Sequence, residues 1–340
     1  MIRILLPLAF SVGAALLLTP ASAQETPAPS SRVSPPEQNA PIIATFTQLQ
    51  LEDCSSLLCV VMTAGDGKTL HLVLDLGERN PYLSLRAAKS LGLDLHPFMS
   101  KDGNAIPDVQ QTIVPGAKLG DLPMGDFPFV VIDVEPEANL QEPRKETLAK
   151  PLPGDGALTY GAFQNRVVQL DIPNHILLIS KPQSNAQPCP RECSDLITKH
   201  VGQFGPVTIT ADGFAVNGQP VDAQIDTLFT GTMLIYPAAI ERLHLKEQAK
   251  SKDKQAFPYI HDGIELAQWN GASESYRNIS LAQNAPLYFP LKHEAFANIQ
   301  FDATVGDRLL SRGVVTFDFK GNHFWIDPPN PSSPVPVNQP

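Results

Sequence analysis

The sequence is poor in the features that mark several common classes of site. After its first 23 residues it has no apolar run of about 18 residues, the length that a membrane-spanning helix needs. It has no block of basic residues, and its net charge of -10 argues against nucleic acid as a partner. It also lacks the Gly-x-Ser-x-Gly turn, the His-Glu-x-x-His pair and the glycine-rich phosphate loop. The sequence therefore shows no signature of a serine hydrolase, a zinc peptidase or a nucleotide-binding protein.

The first 23 residues have the layout of a cleaved secretory signal. Arg3 precedes an apolar run from Leu5 to Leu18, and Ala21-Ser-Ala23 supplies the small residues of a cleavage site. We therefore expect an exported protein, periplasmic or secreted, with no stable membrane span after signal cleavage. An uncleaved N-terminal anchor is the alternative interpretation of the same apolar run.

The four cysteines form two close pairs, Cys54 with Cys59 and Cys189 with Cys193. In an exported chain this spacing favours two local disulfides, although four cysteines permit three pairings. A zinc site built from the four thiolates is the alternative. It is disfavoured because the gaps within the pairs are longer than the two residues usual in zinc sites.

Short segments rich in β-branched residues, bounded by glycine, proline, asparagine or aspartate, predict a mainly β protein. The predicted strands are 42–46, 59–62, 71–74, 127–133, 167–171, 176–179, 207–210, 214–216, 223–225, 314–319 and 324–326. Helical patterns are few and short, the clearest being 85–91 and 237–243, with Pro237 well placed at a helix start. The segment 249–276 is long for a β connection, and it is interpreted either as a cover over a cleft or as an exposed insertion.

Two aspartates about 150 positions apart end short apolar strands in similar surroundings. They are Asp75 in Leu72-Val-Leu-Asp-Leu-Gly77 and Asp226 in Ala223-Gln-Ile-Asp-Thr-Leu228. The helical pattern after the first aspartate recurs after the second, and residues 163–171 match residues 310–318. A repeat near 150 residues is far too long for a solenoid, so the pattern predicts two lobes related by duplication.

Taken together, the two aspartate motifs, the helices after them and the late Val305-Gly306 signature resemble the pepsin-like and retropepsin-like aspartic proteases. The resemblance covers most of residues 42–327. It implies an all-β, two-lobed aspartic-protease (acid protease) barrel fold with short helices and a cleft between the lobes. The corresponding division is a signal peptide 1–23, a proline-rich tail 24–41, an N-terminal lobe 42–182, a linker 183–195, a C-terminal lobe 196–327 and a proline-rich tail 328–340.

The resemblance also implies a function, that of an aspartic-type endopeptidase acting on peptides or proteins. Asp75 and Asp226 are then the catalytic pair, sharing one proton and activating a water molecule. Gly77 and Thr227 belong to the supporting loops. The mechanism requires no metal and no cofactor, and the oligomeric state is left open.

Neither half keeps the family pattern of aspartate, threonine or serine, and glycine. Leu76 replaces the hydroxyl residue of the first motif, Leu228 replaces the glycine of the second, and Thr159 occupies the glycine place of the late signature in the first half. These departures support an alternative, a catalytically impaired protein that acts as an extracytoplasmic peptide-binding or structural module. A simpler alternative is that both aspartates only stabilise turns, where aspartate is a favoured residue.

Overall fold

The computed structural model describes residues 45–99, 103–132, 154–186, 188–189, 193–200, 207–246, 248–250, 254–256, 265–291, 296 and 299–328. The predicted signal peptide and the proline-rich segment 24–41 lie outside the described residues. The second proline-rich segment lies outside them beyond residue 328.

The first half of the chain supplies an eight-stranded sheet. Its strands are β2 Glu52–Cys54, β3 Leu57–Thr63, β4 Thr69–Asp75, β5 Tyr82–Ser84, β6 His96–Met99, β7 Ala105–Leu119, β8 Leu122–Ile132 and β9 Gly156–Thr159. They are ordered β2-β3-β4-β9-β5-β8-β7-β6, so β4, which carries Asp75, lies inside the sheet.

A second sheet of thirteen strands combines elements of both halves. Its strands are β1 Phe46–Gln50, β10 Val167–Asp171, β11 Ile176–Ser180, β12 Ser194–His200, β13 Val207–Val216, β14 Gln219–Ile225, β15 Met233–Ile235, β16 Lys254–Ala256, β17 Glu265–Tyr276, β18 Ile279–Pro290, β19 Ala303–Val305, β20 Val314–Asp318 and β21 His323–Asp327. Their order is β1-β11-β10-β20-β21-β12-β13-β14-β19-β15-β18-β17-β16. The antiparallel pair β10 and β20 joins the halves, and it sets the matching segments 163–171 and 310–318 side by side.

The pairing of the strands repeats between the halves as the sequence does. β4 pairs in parallel with β9, and β14 pairs in parallel with β19. In the first half, β5 pairs antiparallel with β9 and parallel with β8. In the second half, β15 pairs in the same way, antiparallel with β19 and parallel with β18. In each half an aspartate just before the later strand, Asp155 or Asp302, accepts a backbone N–H of the aspartate-bearing strand at 2.9 Å. The repeat in the sequence is therefore a repeat of hydrogen-bonded structure.

Both predicted helices form where the sequence places their signals. Helix α1 spans Leu85–Leu91, with the Ser84 hydroxyl accepting the Ala87 N–H and Gly92 ending the helix at a left-handed φ of 68°. Helix α2 spans Pro237–Arg242 with its proline in the first turn. A third short helix, α3 Asp307–Leu310, and 3₁₀ turns at Tyr160–Phe163 and Gln248–Lys250 complete the helical structure of the described residues.

The all-β, two-lobed fold class with short helices is confirmed. Most predicted strands lie within observed ones, but 207–210 and 214–216 belong to a single strand, β13, with a bulge between them. The long strands β7, β17 and β18 were not predicted. In β7 the prolines and glycines hide the strand pattern, and pairing with β6, β3 and β8 holds the chain extended. The end of the segment 249–276 is strand β17, which forms a hairpin with β18.

The cysteines pair locally, Cys54 with Cys59 and Cys189 with Cys193, as the spacing predicts. Two disulfides fit an exported protein, because exported compartments are oxidising. None of the helices in the described part of the chain has the length and apolar character to cross a membrane.

Candidate active site

Equivalent strands carry the two aspartates into the site. Asp75 is the last residue of β4 and lies opposite Thr159 of the parallel neighbour β9. Asp226 follows β14 directly, and its backbone N–H donates to the Val305 carbonyl of β19 at 3.0 Å. Each aspartate thus stands at the carboxyl end of a buried strand in a parallel pair.

Each aspartate also closes its own turn. The Asp75 carboxylate accepts the Gly77 N–H at 3.1 Å, and the Asp226 carboxylate accepts the Leu228 N–H at 2.8 Å. The exposed residue Asp66 makes the same bond to the Lys68 N–H at 3.1 Å. The same turn geometry therefore also occurs at an ordinary surface aspartate, and it is their environment that sets Asp75 and Asp226 apart.

Gly77 brings the two aspartate loops into contact. A Cβ atom added at Gly77 would lie 3.1 Å from the Ile225 carbonyl oxygen and 3.3 Å from the Asp226 Cα. The φ of Gly77 is not in the left-handed region, so backbone conformation does not require glycine here. A side chain here would press on the opposite loop, which would have to move by a few tenths of an ångström to make room.

Thr227 links the loops by hydrogen bonds. Its hydroxyl accepts the Leu76 N–H at 3.0 Å and donates to the Leu74 carbonyl at 2.6 Å. Leu76 has no hydroxyl to return these bonds, and its side chain is fully buried in the main apolar core. A further link comes from Thr208, whose hydroxyl donates to the Gly77 carbonyl at 2.5 Å. The network across the loops is one-sided, with Thr208 adding a contact of its own.

Leu228, which replaces the expected glycine, has a packing role. Its side chain contacts a small buried cluster of the first half, formed by Leu57, Cys59 and Val73. Its φ is not positive, so a branched residue is compatible with the backbone there. The residue that departs from the family pattern therefore adds an apolar contact between the halves.

Burial raises the pKa values of both catalytic candidates, and neighbouring charges raise that of Asp75 further. The pKa of Asp75, whose surface is only 2% exposed, is raised well above 3.8 by burial and then by the charges of Asp226 and Glu78. The pKa of Asp226, which keeps some exposed surface, is also raised by burial of its carboxyl. Two carboxyls in mutual repulsion do not both ionise readily, and such a pair retains a proton in a pH range where isolated aspartates are charged.

Glu78 is a third carboxyl at the same place, and the sequence interpretation missed it. Burial and the Asp226 charge raise its pKa from 4.5 to about 8. The nearby Tyr82 has a raised pKa because of burial and then because of the charges of Asp75, Glu78 and Asp226. The signal available in the sequence was the acid that follows Gly77 directly, in Asp75-Leu-Gly-Glu78.

A fourth acid, Asp307, lies at the start of α3 and within electrostatic reach of Asp226. Its pKa is raised to about 7, chiefly by burial. One carboxyl oxygen of Asp307 is buried without a hydrogen-bond partner among the described residues. The site therefore has more acidic groups than the aspartate pair alone.

The aspartates are not among the residues grouped closely enough to hold a metal ion. In the described part of the chain, the one such group is Cys189, Cys193 and His323. Both of its sulfur atoms are joined in a disulfide, so they offer no thiolate to a metal.

No protein-family model matches the chain, and a comparison with curated proteins finds no match. Among solved structures, the chain is similar to an aspartic proteinase from Irpex lacteus, with 10% identity, 82% of this chain and 96% of that chain covered, and a TM-score of 0.46. It is also similar to basic 7S globulin from soybean, with 12% identity, coverage of 83% and 96%, and a TM-score of 0.44. Conglutin gamma, a basic 7S globulin from lupine seeds, shows 13% identity, coverage of 84% and 96%, and a TM-score of 0.42. We infer no shared activity from similarities at this level.

Proposed function

We propose that the protein is an aspartic-type endopeptidase that hydrolyses peptide bonds with Asp75 and Asp226. The observation that carries the proposal is the placement of two buried carboxyls in facing loops at the ends of equivalent strands. Gly77 supports it by its contact with the Asp226 backbone, and Thr227 supports it by hydrogen bonds to both Leu76 and Leu74. Loops fixed in this way can hold two carboxyl groups in a constant relation to a substrate.

The proposed reaction uses the proton that the pair retains. The ionised carboxyl takes a proton from a water molecule, and that water attacks the carbonyl carbon of the peptide bond. The protonated carboxyl stabilises the developing oxyanion, and the pair then returns a proton to the leaving nitrogen. Because Asp75 and Asp226 are coupled, the shared proton belongs to the pair and not to one residue.

The test is peptide hydrolysis by the mature chain over about pH 3 to 7, with Asp75→Asn and Asp226→Asn as the decisive variants. Removal of either carboxyl should lower kcat/KM at least about a hundredfold, because each takes part in proton transfer. Asp66→Asn is the matched control, since the Asp66 carboxylate accepts the same kind of turn hydrogen bond but is largely exposed to solvent. Hydrolysis that persists in Asp226→Asn, or the absence of any hydrolysis by the parent, would contradict the proposal.

A second candidate is a peptide-binding protein without hydrolytic activity. The observation that favours it is the apolar replacement in each motif, with Leu76 inside the core and Leu228 packed between the halves. This candidate predicts that a library peptide binds with the same affinity to the parent and to Asp75→Asn. Turnover that depends on the aspartates would rule it out.

We also propose that the chain is a relative of the pepsin-like and retropepsin-like proteases. In this proposal the protein is exported, and its signal peptide is cleaved after Ala23. The proposal also retains the two lobes as 42–182 and 196–327. Mass spectrometry of the exported chain tests the cleavage point directly, because removal of 23 residues gives an N-terminus at Gln24.

A further inference from the structure

Glu78 is fixed by its main chain between the two halves. It pairs as an isolated bridge with Thr208 at the start of β13, and its carbonyl accepts the Tyr160 N–H at 3.1 Å. The residue before it, Gly77, lies against Asp226. The Glu78 backbone also lies beside the Asp75 carboxyl, where its N–H stabilises the ionised form of that acid and lowers its pKa. The backbone thus holds Glu78 at the point where the two aspartate loops meet.

Most of the titratable groups around the Glu78 side chain are acidic or neutral. Tyr82 and Tyr160 both have raised pKa values, that of Tyr160 about 12, so both phenols are neutral over the pH range of interest. The adjacent Arg79 has an exposed side chain, while its carbonyl is held by the Thr159 hydroxyl at 2.8 Å. The titratable and charged groups around Glu78 are Asp75 on β4, Asp226 after β14, Tyr82 on β5, Tyr160 on the 3₁₀ turn and Arg79.

We propose that Glu78 is a positioning residue whose charge couples to those of Asp75 and Asp226 where the two aspartate loops meet, so that the three carboxyls titrate as one unit. Three acids close together in a poorly solvated place cannot lose their protons independently. Glu78 acts through the aspartate pair in this scheme and does not itself attack the substrate or the water.

Ionisation of Glu78 should raise the pH at which the aspartate pair loses its last proton. When Glu78 ionises, its negative charge makes removal of the last proton from Asp75 and Asp226 less favourable. The pair therefore keeps one proton to a higher pH than it would without Glu78. The effect of this on peptide cleavage rests on the proposed hydrolytic function, but the titration itself does not.

The experiment follows the side-chain carboxyl carbons of ¹³C-labelled mature protein by NMR between about pH 3 and 10. In Glu78→Gln, which keeps the side-chain shape without the charge, the last proton of the aspartate pair should leave about one pH unit lower than in the parent. Glu78→Asp keeps a carboxyl and should recover part of the shift. Glu241→Gln is the control, because Glu241 is an exposed acid of α2 paired with Lys246.

Superimposable titration curves of the aspartate pair in the parent and in Glu78→Gln would overturn the proposal. If Glu78→Gln does not fold, the titration of the parent protein alone tests the proposal. A Glu78 carboxyl carbon that titrates in a single step near the ordinary pKa of glutamate would also overturn it. Should hydrolysis be detected, the alkaline limb of kcat/KM is expected to move down by the same amount in Glu78→Gln. A coupled titration without hydrolysis would sustain this inference and refute the enzyme, whereas hydrolysis with uncoupled titration would do the reverse.

Discussion

Glu274 allows a quantitative test of how the fold handles buried charge. It lies in β17 opposite Val216 and Ala282, and its side chain points inward between those of Ala272 and Tyr276. No part of its surface is exposed, and neither carboxyl oxygen makes a well-formed hydrogen bond within the described residues. Burial raises its pKa from 4.5 to about 8, with the nearby Thr232 hydroxyl and Arg312 acting in the opposite direction.

This shift makes the free energy of unfolding depend on pH. Above about pH 4.5 the unfolded chain releases the Glu274 proton, while the folded protein keeps it up to about pH 8. The unfolded state then binds fewer protons than the folded state. The contribution of protonated Glu274 to stability is therefore fully present below about pH 4.5, falls as the pH rises above that value, and is lost once the pH has passed through about 8. One pKa unit corresponds to about 1.4 kcal/mol, and pKa values of 4.5 unfolded and about 8 folded give a loss of about 3–4 kcal/mol between pH 5 and pH 8.

Replacement by glutamine removes this contribution, because Glu274→Gln resembles the protonated acid at every pH. Urea unfolding at pH 5, 6, 7 and 8, with the disulfides intact and tryptophan fluorescence as the signal, should show a flatter pH dependence for the variant. We expect the parent to lose about 3–4 kcal/mol more than Glu274→Gln over that range. Glu241→Gln, at an exposed position, should follow the parent. Parallel curves for the parent and Glu274→Gln would show that the buried carboxyl is ionised in the folded protein and would refute the reasoning.

Substitutions at three positions test the contacts between the aspartate loops. Thr227→Val removes two buried hydrogen bonds and should lower the free energy of unfolding by about 2–4 kcal/mol, whereas Thr227→Ser should lose far less. Gly77→Ala places a methyl group against the opposite loop and should cost about 1–3 kcal/mol, with thermal unfolding as the measurement. Leu228→Gly introduces the glycine that aspartic proteases have at this place but removes apolar packing, so we expect a loss of about 1–3 kcal/mol by urea unfolding; a gain in stability would contradict the packing role.

Local sequence signals predicted the parts of the fold that depend on neighbouring residues. The apolar spacing of 85–91 and the proline at the start of α2 are local signals, and both helices form where they predict them; the Ser84 and Gly92 caps of α1 also act within one turn. The close cysteine pairs were predicted for the same reason. β7 was missed because its extended form depends on partner strands far along the chain, while its own residues include Pro107, Pro115 and Gly116.

The candidate site was predicted only in part. The duplicated surroundings of Asp75 and Asp226 singled out these two acids among many, and Thr227 and Gly77 followed from the motif. Glu78 was missed because a single acid after a glycine is an ordinary surface pattern. Its importance comes from burial and from the approach of Asp226, which is about 150 positions away in the sequence.

The sequence by itself determined the duplication, the β character of the chain and the pair of aspartates at the ends of equivalent strands. These follow from short-range patterns that occur twice. Only the tertiary structure decided that Gly77 lies against the Asp226 loop, that Leu228 packs on the other half and that Glu78 joins the acidic pair. The physical reason is that solvation and charge repulsion depend on which groups lie within a few ångströms, and in this fold those groups come from opposite halves of the chain.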